Sequence, residues 1–341
     1  MRNNWIGLPA IALLSACAIN QSEADANRGP SADPTFGDPV EHRIAGLLAA
    51  ESGYPGLASL CGEPSRTLDQ ARVQSNEWRM PDAVPAAQVF DNLYFVGNSF
   101  SSAWVVRTSE GLILIDALTN AQEVERDIEG GLERLGLDPA DIRYLVVSHG
   151  HGDHSGGAAY LAGKYDLQIV MSRIDWEASQ DPQRSIQLPG WNDVPRPAIL
   201  IEGEYALTLG RTTITLVETP GHTMGTLSTI VPVTDGVESH TAVIWGGTGF
   251  NFGPILAQYQ AYANSAEAMR NLVLRDGIDV FLSNHVARDR TSERLAALFS
   301  RIEGAPHPFV TSSENVARAF EVFRECSLFQ GANLLQSQDA G

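Results

Sequence analysis

The sequence predicts an α/β protein in which two sheets pack face to face with helices on the outside. Short apolar or alternating segments with hairpin signals gather in two clusters, one in each half of the chain. Helical patterns fall both between and after these clusters, which is the order of a layered sandwich rather than of strictly alternating βαβ units. Several of the strands run straight into histidine-containing loops, so the chemistry is expected where strand ends converge. The chain has 341 residues, 43% hydrophobic and 19% charged. That is ordinary globular composition, with room for one large enzyme domain and appendages.

The first elements are appendages. Residues 1–17 give one Arg, an apolar stretch from Ile6 to Leu14 and then small residues, the order of a secretory leader. The apolar run is too short to span a bilayer. Leu14-Ser15-Ala16-Cys17 resembles the lipobox of bacterial lipoproteins, in which the cysteine becomes the lipidated first residue; Ala18 in the next position implies outer-membrane retention. The expectation is a leader over residues 1–16, lipidation at Cys17, and a periplasmic protein that meets the membrane only through its anchor. Residues 18–40, rich in Ser, Ala, Asn, Asp, Gly and Pro, read as a tether. A partly helical arm follows to residue 80, with Ile44, Leu47, Leu48 and Trp78 to dock it, so the leader, tether and arm precede a hydrolase domain over 81–341. In an exported protein Cys61 and Cys326 form an even pair. A bridge would tie the arm to the C-terminal helix, and two buried thiols are the other reading.

The core begins near Val89. Strands are expected at Leu93–Val96, Ala103–Arg107 and Leu112–Ile115, then a helix over Ala121–Leu135 stopped by Gly136, then a strand at Ile142–Val147 that ends in Ser148-His149. The second cluster reads as strands at Gln168–Met171, Ala198–Glu202, Tyr205–Leu209, Thr212–Val217, Thr226–Val231 and Thr241–Trp245. Helices are expected over Ile255–Leu274, Ser292–Ile302 and Ser313–Phe329, with a short strand Val280–Leu282 running into Ser283-Asn284-His285. The loop Asn98–Trp104, carrying Phe100, is either a lid over the site or plain hairpin packing.

Charge narrows the function. Lys+Arg is 23 against Asp+Glu 41, a net charge of −18, which disfavours a phosphate-backbone partner and leaves a small-molecule substrate. Three of the 8 histidines fall within His149-Gly150-His151-Gly152-Asp153-His154. On an extended strand exit, residues two apart point the same way, so His149 and His151 can share an ion. Asp153 and His154 follow the turn and can face a second one. His222, in Thr219-Pro220-Gly221-His222, and His285 offer further ligands at other strand ends. Imidazole and carboxylate without thiolate suit zinc. His42, His240 and His307 read as surface residues.

The His149–His154 string, the later Thr-Pro-Gly-His and the distal His285 resemble the metallo-β-lactamase fold superfamily over roughly Val89 to Val286. The resemblance implies an αββα sandwich with a dinuclear zinc centre at one edge. It implies His149, His151 and His222 as ligands of the first zinc, and Asp153, His154 and His285 as ligands of the second.

Within that superfamily, glyoxalase II-type hydrolases and most lactonases carry a Gly-Asp-Thr whose Asp bridges the metals, where this chain has Gly246-Gly247-Thr248. Enzymes with a thiolate ligand place Cys where Thr248 stands. The remaining ligand set resembles that of subclass B3 metallo-β-lactamases. The implied reaction is opening of the β-lactam ring by metal-bound hydroxide, with Asp153 ligating and orienting, and Thr248 as a substrate contact. The subclass often has a second serine for the substrate carboxylate, and Phe250 stands in that position. Another ester, lactone or amide is therefore the alternative substrate. No Ser-x-x-Lys or Gly-x-Ser-x-Gly signature offers a serine nucleophile.

Overall fold

The computed structural model describes residues 36–62, 79–181, 194–250 and 253–339. The leader, Cys17, the tether to residue 35 and Trp78 lie outside the described residues. Residues 36–341 form one compact unit.

Two sheets carry the fold. The first has seven strands in sequence order: β1 (Ala87–Phe90), β2 (Leu93–Phe95), β3 (Trp104–Thr108), β4 (Gly111–Ile115), β5 (Ile142–Val146), β6 (Gln168–Ser172) and β7 (Ile199–Ile201). It is antiparallel from β1 to β4 and parallel from β4 to β7. The second sheet contains β8 (Glu204–Leu209), β9 (Thr212–Glu218), β10 (Leu227–Asp235), β11 (Glu238–Trp245) and β12 (Val280–Ser283), in the order β12-β11-β10-β9-β8. Only the β11–β12 pair is parallel there.

Alternation along the strands makes three apolar layers. Ile113 and Ile115 of β4 face inward, with Val146 and Val170, against Leu216, Leu227, Val231 and Ile244 of the second sheet. Their neighbours Leu112 and Leu114 face outward and pack on Ile128, Leu132 and Leu161 of the covering helices. On the far side Val243, Trp245 and Phe281 meet Tyr262, Met269, Phe320 and Phe323. Period-two burial on both faces of each sheet is what the αββα sandwich requires.

The N-terminal arm docks by a different face from the one expected. Helix α1 (Pro39–Glu51) starts at Asp38, whose Oδ1 accepts from Val40 N at 2.8 Å, with Pro39 in the first turn. It buries Gly46, Ala49 and Ala50 and leaves Ile44, Leu47 and Leu48 exposed. The reason is local. Cys61 and Cys326 are bonded in a disulfide, and a Cβ on residue 46 would lie 2.5 Å from Cys61 Sγ. Only the small-residue face of α1 can approach that bridge and the C-terminal helix.

The covering helices include α2 (Ala121–Glu123) and α3 (Gly130–Arg134), joined by a π-helical segment Val124–Glu129 into one helical run that Gly136 ends at φ +73°. A short helix α4 (Gly152–Ser155) and α5 (Ala158–Lys164) follow β5, and α6 (Arg173–Ser179) follows β6. On the other face lie α7 (Leu256–Asp276), α8 (Val286–Asp289), α9 (Thr291–Phe299) and α10 (Ser313–Asp339). No described helix is long and apolar enough to cross a membrane.

Candidate metal centre

The five histidines singled out by the sequence come together at one end of the sandwich. His149, His151 and His154 leave β5, His222 follows β9, and His285 follows β12. Gly221 enables the His222 turn: its φ is +146°, and a Cβ there would meet Tyr262 Cα at 2.4 Å.

Two ligand groups result, one of His149, His151 and His222, the other of Asp153, His154 and His285. In the first, His149 Nε2, His151 Nδ1 and His222 Nε2 lie 3.0–3.1 Å from one another. In the second, His154 Nε2 is 3.4 Å from His285 Nε2 and 3.2 Å from Asp153 Oδ2, which is 3.6 Å from His285 Nε2.

The opposite nitrogen of four rings is held from outside. His222 Nδ1 meets Gly249 O at 2.9 Å, and His285 Nδ1 meets Phe100 O at 3.2 Å. His154 Nδ1 meets Asp116 Oδ2 at 2.8 Å, and His149 Nδ1 meets Ser148 Oγ at 3.1 Å. A carbonyl can only accept, so Nδ1 of His222 and of His285 carries a proton. The inward Nε2 of each is then a bare lone pair when the ring is neutral. The bare Nε2 of His222 lies 3.0–3.1 Å from two other inward ring nitrogens, a convergence that a cation among them would relieve. Outer acceptors that fix each ring are also what metal-ligating histidines need, so the residues fit a metal pair.

For four of the five rings the electrostatics agree with this. Burial pushes His149 and His222 well below the usual histidine range, and neighbouring histidines add to it. Burial also lowers His151 and His285 to about 4. These four rings are therefore neutral at pH 7 and able to ligate. His154 goes the other way: burial opposes its charge, but Asp153 and Asp116 flank it and raise it to about 10. Burial opposes the charge of Asp153, but the charge and hydrogen bond of His154 together with His285 and His151 outweigh it and hold the carboxyl well below its usual range.

Other residues occupy different roles from those expected. Thr248, expected as a substrate contact, is buried, and its Oγ1 donates to Asn284 Oδ1 at 3.0 Å. Asn284 Nδ2 in turn donates to Gly246 O at 2.6 Å, so Thr248 and Asn284 fasten the β11 exit to the β12 exit. Phe250 is buried against Tyr262, ring centroids 5.0 Å apart. Gly247 packs on His222, with a Cβ there falling 2.5 Å from His222 Cβ. Phe100 is 43% exposed and stands edge-on to His285, while Trp104 is buried and donates to Ser283 O. The Asn98–Trp104 loop is tied down, since Asn98 Oδ1 accepts from Phe100 N and Ser101 N and Val286 N donates to Phe100 O.

Of the histidines read as surface residues, His307 is buried and His240 half-buried. His307 stacks on Phe90 with centroids 4.2 Å apart, and its Nε2 donates to Val89 O. His240 lies within β11 and pairs with Asp279 at 2.6 Å. His42 pairs with Glu325 at 2.5 Å. None of the three belongs to a ligand group among the described residues.

Asp116 was not singled out by the sequence. It sits just past β4 at φ +67°, and its carboxylate accepts from Ser148 N and Ser148 Oγ as well as facing His154. Its only sequence signal is an acid at the end of the apolar strand Leu112–Ile115.

Comparison with known proteins places this geometry. A family model described as the metallo-beta-lactamase superfamily matches residues 96–273. An N-acyl homoserine lactonase of Bacillus sp is 34% identical over 104 residues, 29% of this chain and 37% of the relative. The match thus spans little more than a third of that lactonase. A probable metallo-hydrolase, YqgX, of Bacillus subtilis is 27% identical over 157 residues, 45% of this chain and 71% of the relative. Among solved structures, BJP-1, a subclass B3 metallo-beta-lactamase of Bradyrhizobium japonicum, superposes with a TM-score of 0.56 at 26% identity, covering 76% of this chain and 94% of that one. The FEZ-1 metallo-beta-lactamase of Legionella gormanii shares the fold with a TM-score of 0.64 at 21% identity, covering 77% and 100%.

Proposed function

The chain belongs to the metallo-β-lactamase superfamily, and from that membership we propose that it is a dinuclear zinc hydrolase that opens the β-lactam ring. At the coarser level it is a metallohydrolase of that superfamily with subclass B3 structural neighbours. The observation that carries the finer reading is Gly247. It lies against His222 with no room for a side chain, so the loop after β11 offers no carboxylate between the two ligand groups.

In this reading His149, His151 and His222 hold one zinc, and Asp153, His154 and His285 hold the other. Zinc there supplies Lewis acidity and makes water a nucleophile at neutral pH. Gly249 O and Phe100 O keep His222 and His285 in the ligating tautomer. Asp153 directs Oδ2 at His154 and His285, and in this reading its carboxylate would help orient the attacking water. Water oxygen would bond to the carbonyl carbon as the carbon–nitrogen bond breaks; one water proton passes to the ring nitrogen and the other is released to solvent as the new carboxyl group ionises. The product is a carboxylate with a free amine.

A second reading, hydrolysis of a lactone or other ester or amide, is favoured by the resemblance to the lactonase. One experiment separates the two. Zinc-loaded protein is assayed in the ultraviolet on a cephalosporin and a carbapenem and, in parallel, on acyl lactones, with EDTA and His151→Ala as controls. The β-lactamase reading expects β-lactam turnover lost in both controls. Lactone turnover with two zincs bound and no β-lactam turnover would overturn it.

The leader and Cys17 support a further proposal, that the protein is exported to the periplasm and lipid-anchored to the outer membrane. Labelled palmitate should enter the wild-type chain and not Cys17→Ala, with the label in the outer-membrane fraction. An unlabelled wild-type chain would rule the anchor out.

A further inference from the structure

The first ligand group is drawn from both sheets. His149 and His151 ride on the loop after β5, in the first sheet, and His222 rides on the loop after β9, in the second. The three inward nitrogens hold to 3.0–3.1 Å only if these two loops keep a fixed separation.

One buried side chain bonds both loops at once. Asp175 lies in the first turn of α6, and the Ser172 hydroxyl accepts from its backbone N–H at 3.1 Å. Its Oδ2 accepts from Gly150 N at 2.9 Å, between His149 and His151, and from Thr223 Oγ1 at 2.7 Å, next to His222. Its Oδ1 accepts from Gly225 N at 2.9 Å, further along the His222 loop. Asp175 is 3% exposed, and among the described residues no cation pairs with it. The three donors are thus what offsets the cost of its burial, and both loops must be present to provide them.

The fit on either side is close. A Cβ on Gly225 would fall 2.1 Å from Ser172 Oγ and 2.7 Å from the backbone nitrogen of Asp175, so this residue must be glycine for the loop to reach the carboxylate. Thr223 has its own hydroxyl partner in Thr226, at 2.7 Å, which holds the threonine beside Asp175.

We propose that Asp175 is a positioning residue that sets the spacing of the His149–His151 and His222 loops, and with it the geometry of the first ligand group. The inference rests on the metal-centre reading above. The isosteric change Asp175→Asn is its sharpest probe. An amide places one NH2 where the carboxylate had an acceptor, and it then faces the N–H of either Gly150 or Gly225. With its oxygen in the Oδ2 position the side chain still accepts from Gly150 N and Thr223 Oγ1 but opposes Gly225 N; with its oxygen in the Oδ1 position it accepts from Gly225 N alone and opposes Gly150 N, so neither orientation keeps all three bonds.

The test uses the full chain in a His285→Ala background, which leaves His149, His151 and His222 as the complete group. Parent, Asp175→Asn and Asp279→Asn proteins are titrated with cobalt(II) and followed by visible d–d absorption. Asp279 is a control carboxylate at the start of β12, bonded to Thr241 N and His240 far along the strand from the ligands. Melting temperatures are recorded for each protein. Hydrogen exchange at the Gly150 and Gly225 amides is measured in the metal-free proteins.

Asp175→Asn is expected to bind cobalt about 10–100-fold more weakly, with altered band intensity, while Asp279→Asn binds as the parent does. One of the two glycine amides should exchange faster. Unchanged cobalt affinity and spectrum would overturn the proposal. So would an affinity loss that Asp279→Asn matches for the same fall in melting temperature. No cobalt uptake by the parent would sink the metal-centre reading itself, and the exchange data would still decide whether Asp175 holds the two loops.

Discussion

The claim that residue 247 must lack a side chain can be tested with a single methyl group. In Gly247→Ala the new Cβ would lie 2.5 Å from His222 Cβ and 2.9 Å from its Cγ. Carbon atoms settle at about 3.5–4.0 Å, so roughly 1 Å of movement is needed on one side. The backbone at 247 is poorly placed to supply it, because Tyr262 Oη donates to Gly247 O at 2.7 Å and accepts from Trp245 Nε1 at 3.0 Å. His222 must therefore move. Its Nδ1 is held by Gly249 O, and its Nε2 lies 3.0–3.1 Å from the other two ligand nitrogens. Zinc–nitrogen bonds tolerate only about 0.2 Å of error, so a shift of that size removes His222 as a ligand or strains it badly. Disturbing only the outer partner of a ligand costs about 10–100-fold in affinity, and moving the ligand itself should cost at least that, about 1.4–2.7 kcal/mol. The assay is zinc content after dialysis against graded chelator, with circular dichroism to confirm the fold. A Gly247→Ala protein that keeps two zincs at wild-type affinity would refute the packing argument. It would also remove the reason for excluding a carboxylate at that position.

Four other outcomes follow from the same geometry. Asp116→Asn keeps the shape around His154 but loses an acceptor shared with Ser148 N and Oγ; metal at the Asp153, His154 and His285 group should bind about 10–100-fold more weakly in a chelator competition. Replacing both Cys61 and Cys326 by Ala frees a loop with a sequence separation of 265 residues. Loop entropy sets the loss near 5–6 kcal/mol and native-bridge removals usually give about 2–5, read as a fall in urea stability with zinc binding retained. Burial holds His307 below its unfolded pKa of about 6.5, so its share of stability is full above that pH and is lost as pH falls through 6.5 toward the folded value. Protonation of its Nδ1 breaks the bond from Phe309 N, and His307→Gln should flatten the urea-midpoint profile of zinc-loaded protein between about pH 7.5 and 5.5. Phe100→Ala keeps the backbone carbonyl that orients His285 but removes an exposed ring; KM should rise up to about tenfold with kcat nearly unchanged.

The convergence of the five histidines was legible because their spacing leaves little freedom. A strand that exits as His-Gly-His presents two imidazoles on one side, and the turn that follows commits Asp153 and His154 to another. Strand positions were legible for a similar reason, since Leu112–Ile115 and Thr241–Trp245 bury residues on both faces and so read as apolar runs. The docking of α1 was not, because hydrophobicity alone points to Ile44, Leu47 and Leu48. The actual determinant is the small cross-section of Gly46 over a disulfide partner 280 positions along the chain. His240 and His307 were misread for want of long-range partners: Asp279 for one, Phe90 and the Val89 carbonyl for the other. Thr248 was read as a substrate contact from its position in the motif, and only the approach of Asn284 from another strand shows where its hydroxyl goes.

These failures share a cause that bears on the substrate. The residues of the two candidate ligand groups sit at strand ends and are fixed by partners on neighbouring loops: Asp116 behind His154, Gly249 behind His222, Phe100 O behind His285. That framework is closed on itself, and Thr248, Asn284 and Gly247 belong to it. Two of the described side chains that reach solvent near these residues are of another kind. Phe100 beside His285 and Met224 two residues past His222 are each 43% exposed, and both are apolar. In the proposed reading, a substrate would meet a rim of side chains such as these, which lie outside the candidate ligand set. The same six ligands are compatible with a lactam or a lactone, because bond cleavage depends on the framework and discrimination depends on the rim. Substrate class in this chain has to be decided by variants of the rim assayed on both ester and amide, since changes to the framework would abolish either reaction alike.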